Sequence, residues 1–120
     1  MSGDEYQELA MRTSYGAYGD DNDRLHHGVL GLCSEAGEVA GIFQKGYQGH
    51  EINIDHVIEE LGDCMWMIAE ICESLGVSMD YVMDENIKKL QRRYPDGFSA
   101  ERSVNRDKYS EGNLKWTEAQ

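Results

Sequence analysis

The sequence predicts an all-α protein, an antiparallel four-helix bundle, and three observations carry that expectation. Proline occurs once in 120 residues, at Pro95, so nothing interrupts long helices before the last quarter of the chain. Apolar residues recur at helical spacing across 23–45 and again, more regularly, across 54–75, with no strand-type alternation and no internal repeat. The stretches between these segments are short, which makes consecutive helices antiparallel neighbours. A chain of this length forms one domain with a modest core, placed here at residues 1–105, followed by a polar arm or tail at 106–120.

A first helix is expected from residue 4 to about 18, with Tyr6, Leu9, Ala10, Thr13 and Ala17 on one side. Gly16 and Gly19 weaken its end, and Gly19-Asp20-Asp21-Asn22 reads as a turn. Asp20, Asn22 and Asp23 suggest a calcium loop only superficially, because the glycine and glutamate needed at later positions are missing. Asn22 or Asp23 is therefore read as an N-cap. The second helix is expected from about Asp23 to Lys45, with Leu25, Val29, Leu32, Cys33, Ala36, Val39, Ala40 and Phe43 as its apolar stripe. Gly28, Gly31, Gly37 and Gly41 each cost about 1 kcal/mol against alanine inside a helix, and close packing against another helix is the compensation. His26 and His27 in its first turns are read as surface or packing residues.

The third helix is expected from Ile54 to about Leu75, on the strongest stripe in the chain: Ile54, Val57, Ile58, Leu61, Cys64, Met65, Ile68, Ile71, Cys72 and Leu75. Gly76 ends it. Ser78 caps a fourth helix that reaches about Tyr94 and is stopped by Pro95-Asp96-Gly97. Ser99-Ala100-Glu101-Arg102 makes one short helical turn, and Trp116 is placed to anchor the tail. Helices of this length leave much apolar surface on a monomer, so a homodimer or homotetramer is expected.

Twenty-three acids against eleven lysines and arginines give a net charge of −12. That balance disfavours nucleic-acid polymers and anionic membranes as partners. No run is long and apolar enough to span a membrane, and the N-terminus lacks the basic and apolar regions of a signal peptide, so the chain is expected in the cytoplasm. Cys33, Cys64 and Cys72 have no C-x-x-C spacing and lie in apolar stripes, where buried reduced thiols are the expectation.

Two acidic clusters carry the chemistry. Glu35 and Glu38 are three residues apart in Ser34-Glu35-Ala36-Gly37-Glu38-Val39, and Glu60 and Asp63 are three apart in Glu59-Glu60-Leu61-Gly62-Asp63. On a helix that spacing sets both members of a pair on one face, about 5–6 Å apart at Cβ. Glu35 with Asp63, and Glu38 with Glu60, are both centred on Gly49, inside the turn-like Gly46-Tyr47-Gln48-Gly49-His50-Glu51. A chain folding back there brings four carboxylates to one point. Singly, each pair reads as a solvated acidic face; jointly, they repel one another and ask for a divalent cation. Oxygen-only ligands suit Mg²⁺, or Mn²⁺, rather than zinc. A di-iron site needs Glu-x-x-His on two helices, and neither cluster has it.

So acidic a chain repels a free nucleoside triphosphate, and phosphate binding would need both cations and a basic patch. Lys45 closes the second helix, while Lys88, Lys89, Arg92 and Arg93 crowd the end of the fourth, where they also suit the helix dipole. Asn86, Lys89 and Arg93 share one face that can hold phosphate oxygens or a sugar hydroxyl. Trp66 is placed either to stack on a base or to fill the core or a dimer interface.

Three segments resemble the MazG-like all-α nucleoside triphosphate pyrophosphohydrolases. They are Gly31-Leu32-Cys33-Ser34-Glu35-Ala36-Gly37-Glu38-Val39, Ile58-Glu59-Glu60-Leu61-Gly62-Asp63-Cys64-Met65-Trp66 and Asn86-Ile87-Lys88-Lys89-Leu90-Gln91-Arg92-Arg93-Tyr94-Pro95. The likeness spans roughly residues 5–107 and departs at Ser34, where many members carry another glutamate. It implies Mg²⁺-dependent cleavage between the α and β phosphates of an NTP or dNTP, giving a monophosphate and pyrophosphate. By the same resemblance Glu35, Glu38, Glu60 and Asp63 hold the metals, and Glu59 or one of the ligand glutamates accepts the proton of the attacking water. Lys45, Trp66, Asn86, Lys89 and Arg93 are the implied substrate contacts. The alternatives are a phosphoribosyl-ATP pyrophosphohydrolase or a dUTP- or dCTP-specific relative on the same fold, and a non-catalytic helical oligomerisation module whose acids merely bind cations.

Overall fold

The computed structural model describes residues 1–109. Trp116 and the rest of the arm beyond 109 lie outside the described residues. The described chain is helical throughout, with α1 at Gly3–Met11, α2 at Asp21–Gly46, α3 at Ile54–Leu75, α4 at Met79–Arg93 and α5 at Ala100–Val104, then a 3₁₀ turn at Arg106–Tyr109. It divides into two compact units, one of residues 1–79 and one from residue 80 onward.

In the first unit, α1 starts on a capping box: Ser2 accepts from the Glu5 N–H while the Glu5 side chain accepts from the Ser2 N–H. The helix stops at Met11 rather than near residue 18. Thr13 N–H and Thr13 Oγ1 both donate to the Ala10 carbonyl, at 3.0 and 2.7 Å, and the Trp66 indole N–H donates to Thr13 Oγ1 at 2.8 Å and to Ala10 at 3.2 Å. These bonds tighten the last turn and satisfy the acceptor that a longer helix would have used. The chain from Arg12 to Asp20 then crosses to α2, whose N-cap is Asp20, accepting from Asp23 N–H at 2.9 Å, and not Asn22 or Asp23.

α2 and α3 form an antiparallel hairpin, and the glycines set how close they come. A Cβ at Gly28 would lie 2.9 Å from Ile71 Cγ1, and one at Gly31 would lie 2.3 Å from Met67 Sδ. Gly46 meets Ile52 in the same way at 3.3 Å. Gly31 with Met67 and Gly46 with Ile52 are both centred on residue 49, the fold-back point read from the sequence, and Gly49 itself turns there at φ 92°. Gly37 and Gly41 face open space instead, so only part of the glycine row serves packing. Gly28, Gly31 and Glu35 thus face α3, and the expected apolar stripe of α2 is split: Leu25, Leu32 and Val39 are half-buried, while Val29, Cys33, Ala36, Ala40 and Phe43 are exposed. Cys33 is therefore not a buried thiol. Cys64 is half-buried and Cys72 is buried, and all three are free.

α3 spans its expected residues because its ends carry independent signals. Asn53 accepts from His56 N–H at 3.2 Å, and Gly76 adopts φ 69° at the other end. The core is small, with Ala10, Ala69, Cys72 and Met79 buried and Tyr6, Met11, Trp66, Ile68 and Val77 packed against them. Gln7, 8% exposed, clamps the turn after α3: its amide donates to Glu73 Oε2 and the Val77 carbonyl, and its oxygen accepts from Met79 N–H at 2.8 Å. Glu70 is wholly buried; its carboxylate is paired with His27 and accepts from Ser14 Oγ at 3.1 Å and Tyr18 OH at 3.5 Å. His27, 49% exposed at its side chain, is thus a surface residue that partners a buried carboxylate.

In the second unit, Gly97 turns at φ 90° after Pro95, and Ser99 caps α5. The Arg102 guanidinium donates to the Arg93 carbonyl and, at 3.0 Å, to that of Arg92, satisfying acceptors left at the end of α4. It also lies 3.6 Å from the centre of the Tyr109 ring, and Tyr109 OH donates to Glu101, so the first residues of the expected arm are folded. The antiparallel relation holds here for α2 and α3; closure of four helices into one bundle belongs to the proposal below.

Candidate metal centre

The hairpin brings the two acidic clusters together from opposite strands of its turn. Glu35 on α2 and Glu60 and Asp63 on α3 each offer a carboxylate oxygen, and these oxygens lie within 4.8 Å of one another. Glu35 is half-buried, Asp63 is exposed, and the Glu60 side chain is 12% exposed. Glu60 Oε1 accepts from His56 Nε2 at 3.2 Å, while Glu60 Oε2 is buried with no hydrogen-bond partner. A buried carboxylate oxygen without a donor is costly, and the same side chain offers an oxygen to the close group formed with Glu35 and Asp63.

The electrostatics follow from that crowding. The Glu35 carboxyl is held above its usual range, chiefly by a hydrogen bond to Glu60 that only a protonated acid can donate. Burial adds to this, then the charges of Asp63, Glu60 and Glu38. The Cys64 thiol is pushed up by burial and by Glu35, Glu60 and Asp63. Tyr6, whose OH donates to the Gly62 carbonyl at 3.4 Å, is raised by burial and then by Asp63. Negative charge is thus concentrated on one spot, where His56 on Glu60 is the one ion-pair partner of the three carboxylates among the described residues. That spot suits a hard divalent cation, which removes the repulsion and gives Glu60 Oε2 a partner.

Glu38 stands one turn further along α2, exposed, and near enough for its charge to act on Glu35, but it is outside the close group. Glu59 is exposed beside Glu60 and also outside the group. Lys45 is exposed in the last turn of α2, ten residues or about 15 Å of helix from Glu35. Trp66 packs against the core with its N–H committed to α1. Asn86, Lys89 and Arg93 are on α4, in the second unit, where Asn86 is exposed and Arg93 Nε is buried without a partner. A groove of about 660 Å³ between α1 and the turn after α3, lined by Gln7, Met11, Glu73 and Val77 among others, includes none of the carboxylates.

His56 and Glu70 were not singled out by the sequence reading. His56 had a legible signal, its i, i+4 spacing to Glu60. Glu70 had none, since a glutamate amid an apolar stripe is indistinguishable from a solvated one until its partners on α2 and in 12–20 are known.

Gene 37 protein of Mycobacterium phage L5 is 34% identical over 105 residues, covering 81% of this chain and 92% of that one. No solved structure matches the chain. Among the described residues no helix is long and apolar enough to cross a membrane. A family model, the MazG nucleotide pyrophosphohydrolase domain, matches residues 25–98, which takes in α2 from Leu25, all of α3 and α4, and Glu35, Glu38, Glu59, Glu60 and Asp63. The chain belongs to the MazG nucleotide pyrophosphohydrolase domain family.

Proposed function

We propose that the protein is a Mg²⁺-dependent nucleoside triphosphate pyrophosphohydrolase, adding water across the α–β anhydride of an NTP or dNTP to give a monophosphate and pyrophosphate. The observation that carries the reading is the gathering of Glu35, Glu60 and Asp63 carboxylate oxygens within 4.8 Å of one another, on a Glu60 whose buried Oε2 has no hydrogen-bond partner. These three, with Glu38 from the next turn of α2, would hold Mg²⁺ or Mn²⁺. A divalent ion bound there supplies neutralisation of phosphate charge and a lowered pKa for a bound water. Glu59, or one of the ligand glutamates, accepts the proton of the attacking water. Lys45, Asn86, Lys89 and Arg93 contact phosphate and sugar, and Trp66 offers its ring face to a base.

The whole of 1–105 acts in this reading as one domain, its helices closing into an antiparallel four-helix bundle, with 106–120 as an arm. It works in the cytoplasm as a homodimer or homotetramer. Support for assembly comes from Ile54, Ile58, Leu61 and Met65, an exposed apolar row along one face of α3. The net charge of −12 argues against a nucleic-acid polymer or membrane as partner.

Pyrophosphate release from a panel of canonical and modified NTPs and dNTPs, with phosphoribosyl-ATP added, tests the reading. Release is expected with Mg²⁺ or Mn²⁺ and is expected to be lost in Glu38→Gln and Glu60→Gln. Turnover of phosphoribosyl-ATP alone, or of dUTP or dCTP alone, would select those narrower activities. Cation binding without turnover of any nucleotide would instead make the chain a helical oligomerisation module and sink the proposal.

A further inference from the structure

We propose that His56 is the positioning residue for Glu60: by holding Oε1 it fixes the carboxylate beside Glu35 and Asp63 and leaves Oε2 open to a cation. The inference rests on the function proposed above, since it takes Glu60 as a ligand. His56 stands in the first turn of α3, where Asn53 Oδ1 accepts its backbone N–H at 3.2 Å and so fixes its place. One turn later Glu60 presents Oε1 to His56 Nε2, again at 3.2 Å. A carboxylate only accepts, so the imidazole Nε2 carries the proton of this bond. The other oxygen, Oε2, is buried and has no partner.

A glutamate has three side-chain torsions, and repulsion from Glu35 and Asp63 drives an unrestrained one toward water. Glu60 nevertheless remains 12% exposed, while His56 is 48% exposed. The histidine thus engages Oε1, restrains the carboxylate as a whole, and leaves Oε2 without a protein partner. The close group of ligand atoms contains three carboxylates and no imidazole, so His56 acts through Glu60 and not on the ion. Outer partners of ligating groups typically contribute about 10- to 100-fold in metal affinity.

Titration of the purified full chain with Mn²⁺, followed by the electron paramagnetic resonance signal of the free ion, tests this without any substrate. His56→Ala is expected to weaken Mn²⁺ binding about 10- to 100-fold, with the metal-free melting temperature within a few degrees of wild type. His56→Gln, which keeps an N–H donor able to reach Glu60, is expected to restore binding to near the wild-type level. Wild-type affinity in His56→Ala overturns the inference and leaves the proposed function standing, as does a His56→Gln no better than His56→Ala. Absence of Mn²⁺ binding by the wild type, or undiminished binding by Glu60→Gln, overturns both.

Discussion

Replacing Glu35 by glutamine should reverse the order of stability between variant and wild type when a divalent cation is added. In the metal-free chain Glu35 faces two carboxylates whose oxygens come within 4.8 Å. At that separation two unit charges repel by about 1 kcal/mol at the dielectric constant of water and about 3.5 kcal/mol at an effective value of 20. Glu35 is half-buried and its neighbour Asp63 exposed, so the lower figure governs, and salt attenuates it further. Two such contacts, screened, leave a net gain of about 1 kcal/mol for Glu35→Gln, which keeps the side chain's volume and can donate to Glu60. For a domain of this size that raises the melting temperature by about 4 °C.

The cation works in the opposite direction. At a hundredfold excess over its dissociation constant, an ion that binds only the folded chain stabilises it by about 2.7 kcal/mol. The variant lacks one ligand and gains little of this. Melting followed by circular dichroism, with EDTA and then with Mg²⁺ or Mn²⁺, should therefore show the variant ahead in EDTA and the wild type ahead with metal. A Glu35→Gln that melts below wild type in EDTA would refute the claim that the carboxylates repel. A wild type whose melting ignores both ions would refute the site.

Two further outcomes follow from the same geometry. Glu35 is held above the ordinary carboxylate value of 4.5 in the folded chain, so the folded state keeps its proton to higher pH than the unfolded state. Metal-free stability should fall as pH rises from that value through the raised folded one, and stay low above it; urea unfolding over a pH series should show this slope in wild type and its loss in Glu35→Gln, and parallel profiles would rule it out. Alanine at two glycines of α2 should act with opposite signs. Gly37→Ala meets nothing within 4 Å and should add up to about 1 kcal/mol, whereas Gly28→Ala meets Ile71 Cγ1 at 2.9 Å and the Ile71 backbone nitrogen at 3.3 Å and should cost about 1–3 kcal/mol. Equal effects in urea melts would mean that the glycine row does not set the helix spacing.

What could be read in the sequence was what local rules determine. α3 was legible to its ends because a cap, a stripe and a left-handed glycine all agree there. The pairing of α2 with α3 was legible because the acids of the two clusters share one centre. The length of α1 was not, since its end depends on Trp66, more than fifty residues away. The α2 stripe misled for a related reason: apolar periodicity says which residues share a face, but glycines and Glu35 occupy the face that α3 approaches. Four carboxylates were expected at one point and three are in the close group, because Glu38 lies a turn further along an exposed stretch of helix.

The register that crowds the carboxylates is held by a contact away from them. Glu70 lies seven residues beyond Asp63 on α3, about 10 Å along the axis, and its buried carboxylate is paired with His27 on α2. Between the two acidic positions, Met67 fills the notch at Gly31. Sliding α2 by one turn would relieve the repulsion among Glu35, Glu60 and Asp63, but it would strip Glu70 of His27 and take Gly31 away from Met67. Leaving a buried carboxylate short of a hydrogen-bond partner costs about 1–3 kcal/mol, at least as much as the screened repulsion returns. The hairpin therefore keeps an unfavourable cluster of charge in place before any cation arrives, and a cation that enters finds its oxygens already assembled.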